Sequence, residues 1–157
     1  FCRPRVPGGG PDRGGGVAYL LVVFGGLFLD PTPPRAGAGR ARLVGSVVTG
    51  AARIRENPLF AKIFRTDTDL MLTYVFGRLG RNQRALIDLF AAGIRAGQAD
   101  GSIRPGEPVQ LAAMLLLIAQ SAVQSAGTVA ALLPADRLDA ELGRAIEGYL
   151  APDGADS

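Results

Sequence analysis

GSIRPGEPVQLAAMLLLIAQSAVQS, residues 101–125, is the stretch whose reading decides the fold. Gly101 follows Asp100 where a helix is expected to stop, because glycine enters the left-handed region without a Cβ penalty. Gly106 and Glu107 lead into Pro108, whose fixed φ suits a first helical turn. Beyond it Val109, Ala112, Ala113, Leu116 and Val123 recur at helical spacing as one apolar stripe. Leu111, Leu115, Ile118 and Ala122 form a second. A helix apolar on two sides must be covered on both: one cover is its own domain, the other a second copy of the chain. The uninterrupted apolar run from Leu111 to Ala119 is nine residues, against roughly 20 for a bilayer span. A buried helix is therefore expected, and no membrane.

Upstream, Leu43, Val44, Val47, Val48 and Ala51 repeat at three and four, and the helix they define should end near Glu56, before Pro58. Asn57 is expected to cap a short helix carrying Leu59, Phe60, Ile63 and Phe64. Thr66, Asp67, Thr68 and Asp69 cap the next, 68–79. Gly77 and Gly80 are read as a break or bend before a helix at about 82–99, with the stripe Leu86, Leu89, Phe90, Gly93, Ile94 and Gly97. After residues 108–126, Gly127 permits a bend and Asp136 caps a last helix. That helix carries Leu138, Leu142, Ala145, Ile146 and Tyr149 and stops before Pro152. No alternating strand pattern appears. The expected fold is all-α, a bundle of about five to six helices over residues 38–152, with a disordered Gly/Pro-rich segment at 1–37 and a polar tail at 153–157.

Composition narrows the chemistry. The 157 residues include no His and one Cys, Cys2, so the common zinc sites and His-dependent nucleophiles lack their usual groups. Asp67 and Asp69 are explained as helix-start residues. Ser121 and Ser125 have no histidine base, and the glycines of 8–16 lack the Lys-Ser/Thr of a phosphate loop. No enzyme and no cofactor is expected. Residues 1–42 hold six Arg and two Asp, whereas residues 43–157 hold eleven basic and twelve acidic groups, net −1. The helical part thus has no broad basic face for nucleic acid.

The wording of residues 53–150 resembles the C-terminal regulatory domain of TetR-family transcriptional regulators. Arg55-Glu56-Asn57-Pro58-Leu59 is similar to that family's "ENPL" junction, and Ala96 to Arg104 to its "GqadGsiR" helix end. Glu107-Pro108 followed by Leu111-Ala112 resembles the start of its next long helix. Gly148-Tyr149-Leu150 resembles the end of its closing helix. The resemblance implies a cytoplasmic repressor that forms a homodimer, and DNA binding through an N-terminal helix-turn-helix. No intact helix-turn-helix is legible in residues 1–37, where Gly16-Val17-Ala18 and Phe24-Gly25-Gly26 echo its recognition region at short spacing, so this segment is expected to be a remnant.

A dimer interface is expected at Leu116, Val123, Leu138, Leu142, Ala145 and Tyr149, as a four-helix bundle of residues 108–126 and 136–150 with their mates. A small apolar or aromatic effector is expected among Phe64, Met71, Tyr74, Phe90, Met114 and Gln120. Two other functions fit the same residues: a free-standing helical interaction module, or an exported or membrane-anchored small protein held by the apolar run Val17 to Leu29.

Overall fold

A computed structural model describes residues 38–58 and 68–154, with side chains from residue 83 onward in the second stretch. Its four helices are α1 (Gly39–Glu56), α2 (Thr68–Ala99), α3 (Pro108–Val129) and α4 (Ala135–Leu150). No strand occurs among the described residues. Helix α1 packs against all three others, and α3 lies against α1, α2 and α4. Phe90, Leu43, Ile94, Leu115, Ile146, Leu150 and Val47 are the largest fully buried side chains. Every helix contributes to that core, at roughly 1.5–3 kcal/mol for each large aliphatic side chain removed from water. Ser46, the one buried polar residue among those described, donates its hydroxyl to the Arg42 carbonyl one turn back at 2.8 Å. Its burial therefore leaves no unsatisfied group.

The stop at Glu56 and the start at Pro108 fall where the sequence puts them. Asn57 turns extended, and Pro108 opens α3 with the Glu107 carboxylate accepting from the Gln110 amide at 2.8 Å. Three expectations are corrected. Residues 68–79 and 82–99 are one helix of 32 residues. A glycine inside a helix costs only about 1 kcal/mol relative to alanine, and with no proline between Thr68 and Ala99 nothing forces a break at Gly77 or Gly80. Likewise α3 runs through Gly127 to Val129. The described residues thus hold four helices, and the short helix expected at Leu59 to Phe64 lies outside them. Finally, Asp136 does not cap α4, whose N-cap is Pro134, without a side-chain bond. Asp136 sits in the first turn instead, where its charge still favours the helix dipole.

Helices α1 and α4 run antiparallel. Arg55 bonds Asp139 at one end, the Val48 and Val44 side chains approach Gly143 in the middle, and Arg40 pairs with Glu147 at 2.7 Å at the other end. Arg40–Glu147 is partly solvated and worth at most about 1 kcal/mol. Arg55 is nearly covered, so its carboxylate partner matters more.

Candidate functional site: an open face and a closed corner

The loop between α2 and α3 closes one end of the molecule by capping helices that are far apart in sequence. Gly101 adopts φ +79°. That turn returns the Ser102 and Ile103 amides to the Gly97 carbonyl at 2.8 and 3.0 Å, so the end of α2 is satisfied. Ala38, the N-cap of α1, supplies no side-chain cap. The Asp100 carboxylate accepts from the Gly39 amide and the Ser102 hydroxyl oxygen from the Arg40 amide, each at 2.9 Å. Arg104 covers the end of α4. Its amide donates to the Leu150 carbonyl at 2.9 Å, its Nε to the Tyr149 carbonyl at 2.8 Å, and its guanidinium lies 4.8 Å from the centre of the Tyr149 ring. A cation at a helix C-terminus is doubly favourable, by hydrogen bond and by dipole. Gln98 holds the loop itself by donating to the carbonyls of Arg104 and Gly106.

This network holds the Asp100 carboxyl below the usual carboxylate range. The Ser102 hydroxyl beside it is the largest cause, followed among the stabilising contacts by the Ser102 and Gly39 amides, which together outweigh partial desolvation. Ser102 has one hydroxyl proton, and the Gly97 carbonyl at 3.3 Å is a long alternative acceptor for it.

The opposite character is found along α3 and α4. An open trough of about 510 Å³ runs between them, walled by Met114, Leu117, Ile118 and Ser121 of α3 and by Leu138, Glu141, Leu142 and Ala145 of α4. Leu117 is 59% exposed and Met114 45%. Helix α3 carries no charged residue and, by length and composition, is long and apolar enough to cross a membrane. Its core-facing residues are Leu111, Ala112, Leu115, Leu116 and Ala119, drawn from both stripes. Its outward apolar residues, Met114 and Leu117, belong to neither stripe. The signal was present: the four successive large residues after Met114, Leu115 to Ile118, point in different directions around a helix and cannot share one face.

The residues expected at a dimer contact divide accordingly. Leu138, Leu142 and Ala145 line the trough. Leu116 is turned into the chain's own core, and Val123 packs partly buried against it. Tyr149 is engaged with Arg104. Of the residues expected around an effector, Phe90 is fully buried, Met114 is on the trough wall and Gln120 is half-buried. Phe90 is not among the residues that wall the trough with Met114. Phe64 lies outside the described residues. Met71 and Tyr74 lie in α2, upstream of its described side chains.

Geometry and fold define an α-helical domain with one internally bonded end and one uncovered apolar side. Relatives give that class its family. An uncharacterized HTH-type transcriptional regulator of Mycobacterium bovis is 36% identical over 148 residues, 94% of this chain and 77% of the relative. Uncharacterized HTH-type transcriptional regulators of two Mycobacterium tuberculosis strains, CDC 1551 and H37Rv, are each 39% identical over the same spans. The chain belongs to the HTH-type transcriptional regulators. No family model matches it, and no solved structure does.

Proposed function

We propose that residues 38–152 are the dimerising, effector-responsive domain of a TetR-type cytoplasmic repressor. The observation that carries this reading is the trough between α3 and α4. Exposed Leu117 and Met114 beside Leu138, Leu142 and Ala145 make an apolar strip of the kind that marks an interaction surface. A two-fold axis along it lays α3 and α4 of one chain against the same pair of the next, so that every contact between two residues occurs twice. DNA contact then belongs to parts of the protein outside this domain. The effector is a small apolar or aromatic molecule taken between α2 and α3, the region in which Met71 and Tyr74 are expected beside it; Phe90, sealed into the core, is not part of that site. Methionine and aromatic side chains suit such a ligand because they adapt to its shape and bury large areas.

Sedimentation of the full chain at about 20 μM, where a dimer of roughly −6 to −7 kcal/mol is populated, should give a dimer. Leu117→Glu should give a monomer of unchanged helicity, because Leu117 is outside the core. The Leu142→Glu change is the poorer test, since Leu142 is 4% exposed in the single chain and a buried charge there unfolds the domain. A wild-type chain that stays monomeric, or that partitions into lipid vesicles through α3, would overturn the reading.

A further inference from the structure

Apolar area by itself does not choose a partner. The α3 wall of the trough offers nothing else, since that helix has no charged residue. The α4 wall differs. Among the described residues that line the trough, Glu141 is the one charged group. Two other acids of α4 are committed to α1, Asp139 to Arg55 and Glu147 to Arg40. Glu141 faces the other way and takes Arg144 of its own helix, at 3.0 Å. The two side chains remain 50% and 76% exposed respectively, so their pairing adds little to the stability of a single chain.

A two-fold axis sets a surface against its own copy. A lone acid on such a surface meets its counterpart, and like charges brought together across an interface repel. An acid and a base one turn apart on the same rim escape that fault. Three residues rise about 4.5 Å along a helix, a length that an arginine side chain spans. Across a two-fold axis through the strip, Glu141 therefore comes within reach of the partner's Arg144, and Arg144 within reach of the partner's Glu141. The separate pairs of the two chains become a single network of alternating charge. An apolar surface without the reciprocal charges offers neither group a second partner.

We propose that Glu141 and Arg144 are the self-recognition element of the trough, selecting a second copy of this chain over other apolar partners by pairing reciprocally across the two-fold axis. The inference rests on the dimer reading above and names what makes that dimer specific. Flanking acids and bases act in the same way beside the apolar seam of a coiled coil, where they set partner choice and orientation.

The test mixes two variants of the full chain, Glu141→Arg and Arg144→Glu. Each alone places like charges on both copies, and its self-association should fall at least about tenfold below wild type. In the equimolar mixture each chain supplies what the other lacks. Heterodimers of near wild-type affinity should then make up about nine-tenths of all dimers, against about half for random pairing. Native mass spectrometry separates the heterodimer from the homodimers, and sedimentation measures the affinities. Each variant chain has lost its internal pair whatever it binds, so a heterodimer preference cannot come from the stability of α4. The neutral variants Glu141→Gln and Arg144→Gln repeat the design without added repulsion, and their mixture should also exceed the random share, by a smaller margin. A wild-type dimer with random pairing in both mixtures overturns the inference and leaves the dimer standing. So does a charge-reversed mixture that associates as weakly as its components. A wild-type chain that stays monomeric overturns both.

Discussion

The two ends of α3 belong to different kinds of surface. At its start, ten residues from Gln98 to Glu107 satisfy the end of α2 and the starts of α1 and α3, and reach across to the end of α4. Along its later turns, Leu117, Ile118, Ser121 and Ser125 face an open trough with little polar bonding. The closed corner is fixed by directional bonds and by glycine contacts that admit no added atom. The open face is defined by area alone, and area accepts any complementary apolar partner. Specific bonding within the chain and uncovered apolar area thus belong to separate parts of one helix.

The largest change is expected from Gly97→Ala, which forces Ile103, itself 3% exposed, out of its site. A loss of about 2 kcal/mol, within the usual 1–3 for overpacking, should appear in urea unfolding. A loss below about 0.5 kcal/mol would mean that the corner yields, and the contrast with the trough would weaken. Asp139→Ala is expected to cost about 1.5–2 kcal/mol by leaving the covered Arg55 without its carboxylate. One Arg55 nitrogen, Nη1, is already buried without a hydrogen-bond partner, so the guanidinium has little other support. Arg40→Ala, which removes the more solvated pair at the other end of the same helices, should cost less than 1 kcal/mol. Equal losses would erase the distinction between the two pairs.

On the open side, Met114→Gln should leave stability within about 0.5 kcal/mol and weaken self-association about tenfold, or 1.4 kcal/mol. Sedimentation measures the association and unfolding the stability. An effect on stability alone would place Met114 in the fold and not at an interface. The smallest effect concerns acid. The folded Asp100 carboxyl titrates below its ordinary 3.8, so its contribution is complete above that value. The contribution fades as pH falls through the lower folded value. The melting-temperature gap between wild type and Asp100→Asn should stay constant down to about pH 4 and narrow below it. A gap that narrows near neutral pH would show that another group controls the corner.

Local grammar made much of this fold legible. Asn57 before Pro58, Gly101 after Asp100 and Pro108 after Glu107 each act within four residues of themselves, and the helix ends sit where those residues put them. What was not legible depends on residues distant in the chain. Asp100 and Ser102 read as part of a turn, and nothing in their neighbourhood reveals that they cap a helix some sixty positions earlier. Asp139 stands three residues after Asp136, and nothing beside it in the sequence reveals that it is committed to Arg55. The site was harder still. Helix α3 is apolar in so many directions that periodicity cannot say which side is inside. Leu116, expected at the contact, therefore proves internal, while Met114, expected at an effector, stands on the trough. Isolated glycines misled for a simpler reason, since Gly127 lies in an unbroken helix.

The turn from Ala130 to Pro134 lies some 33 Å from the capped corner by the rise of a 22-residue helix. Its internal ties are the Leu132 and Leu133 amides to the Val129 carbonyl, and Leu132 is 90% exposed. The chain can be opened or lengthened there at small cost. New termini, a fused fluorophore or a protease site placed between Ala131 and Pro134 leave all four helix ends at the corner joined. The same insertion at Ser102 severs them at once.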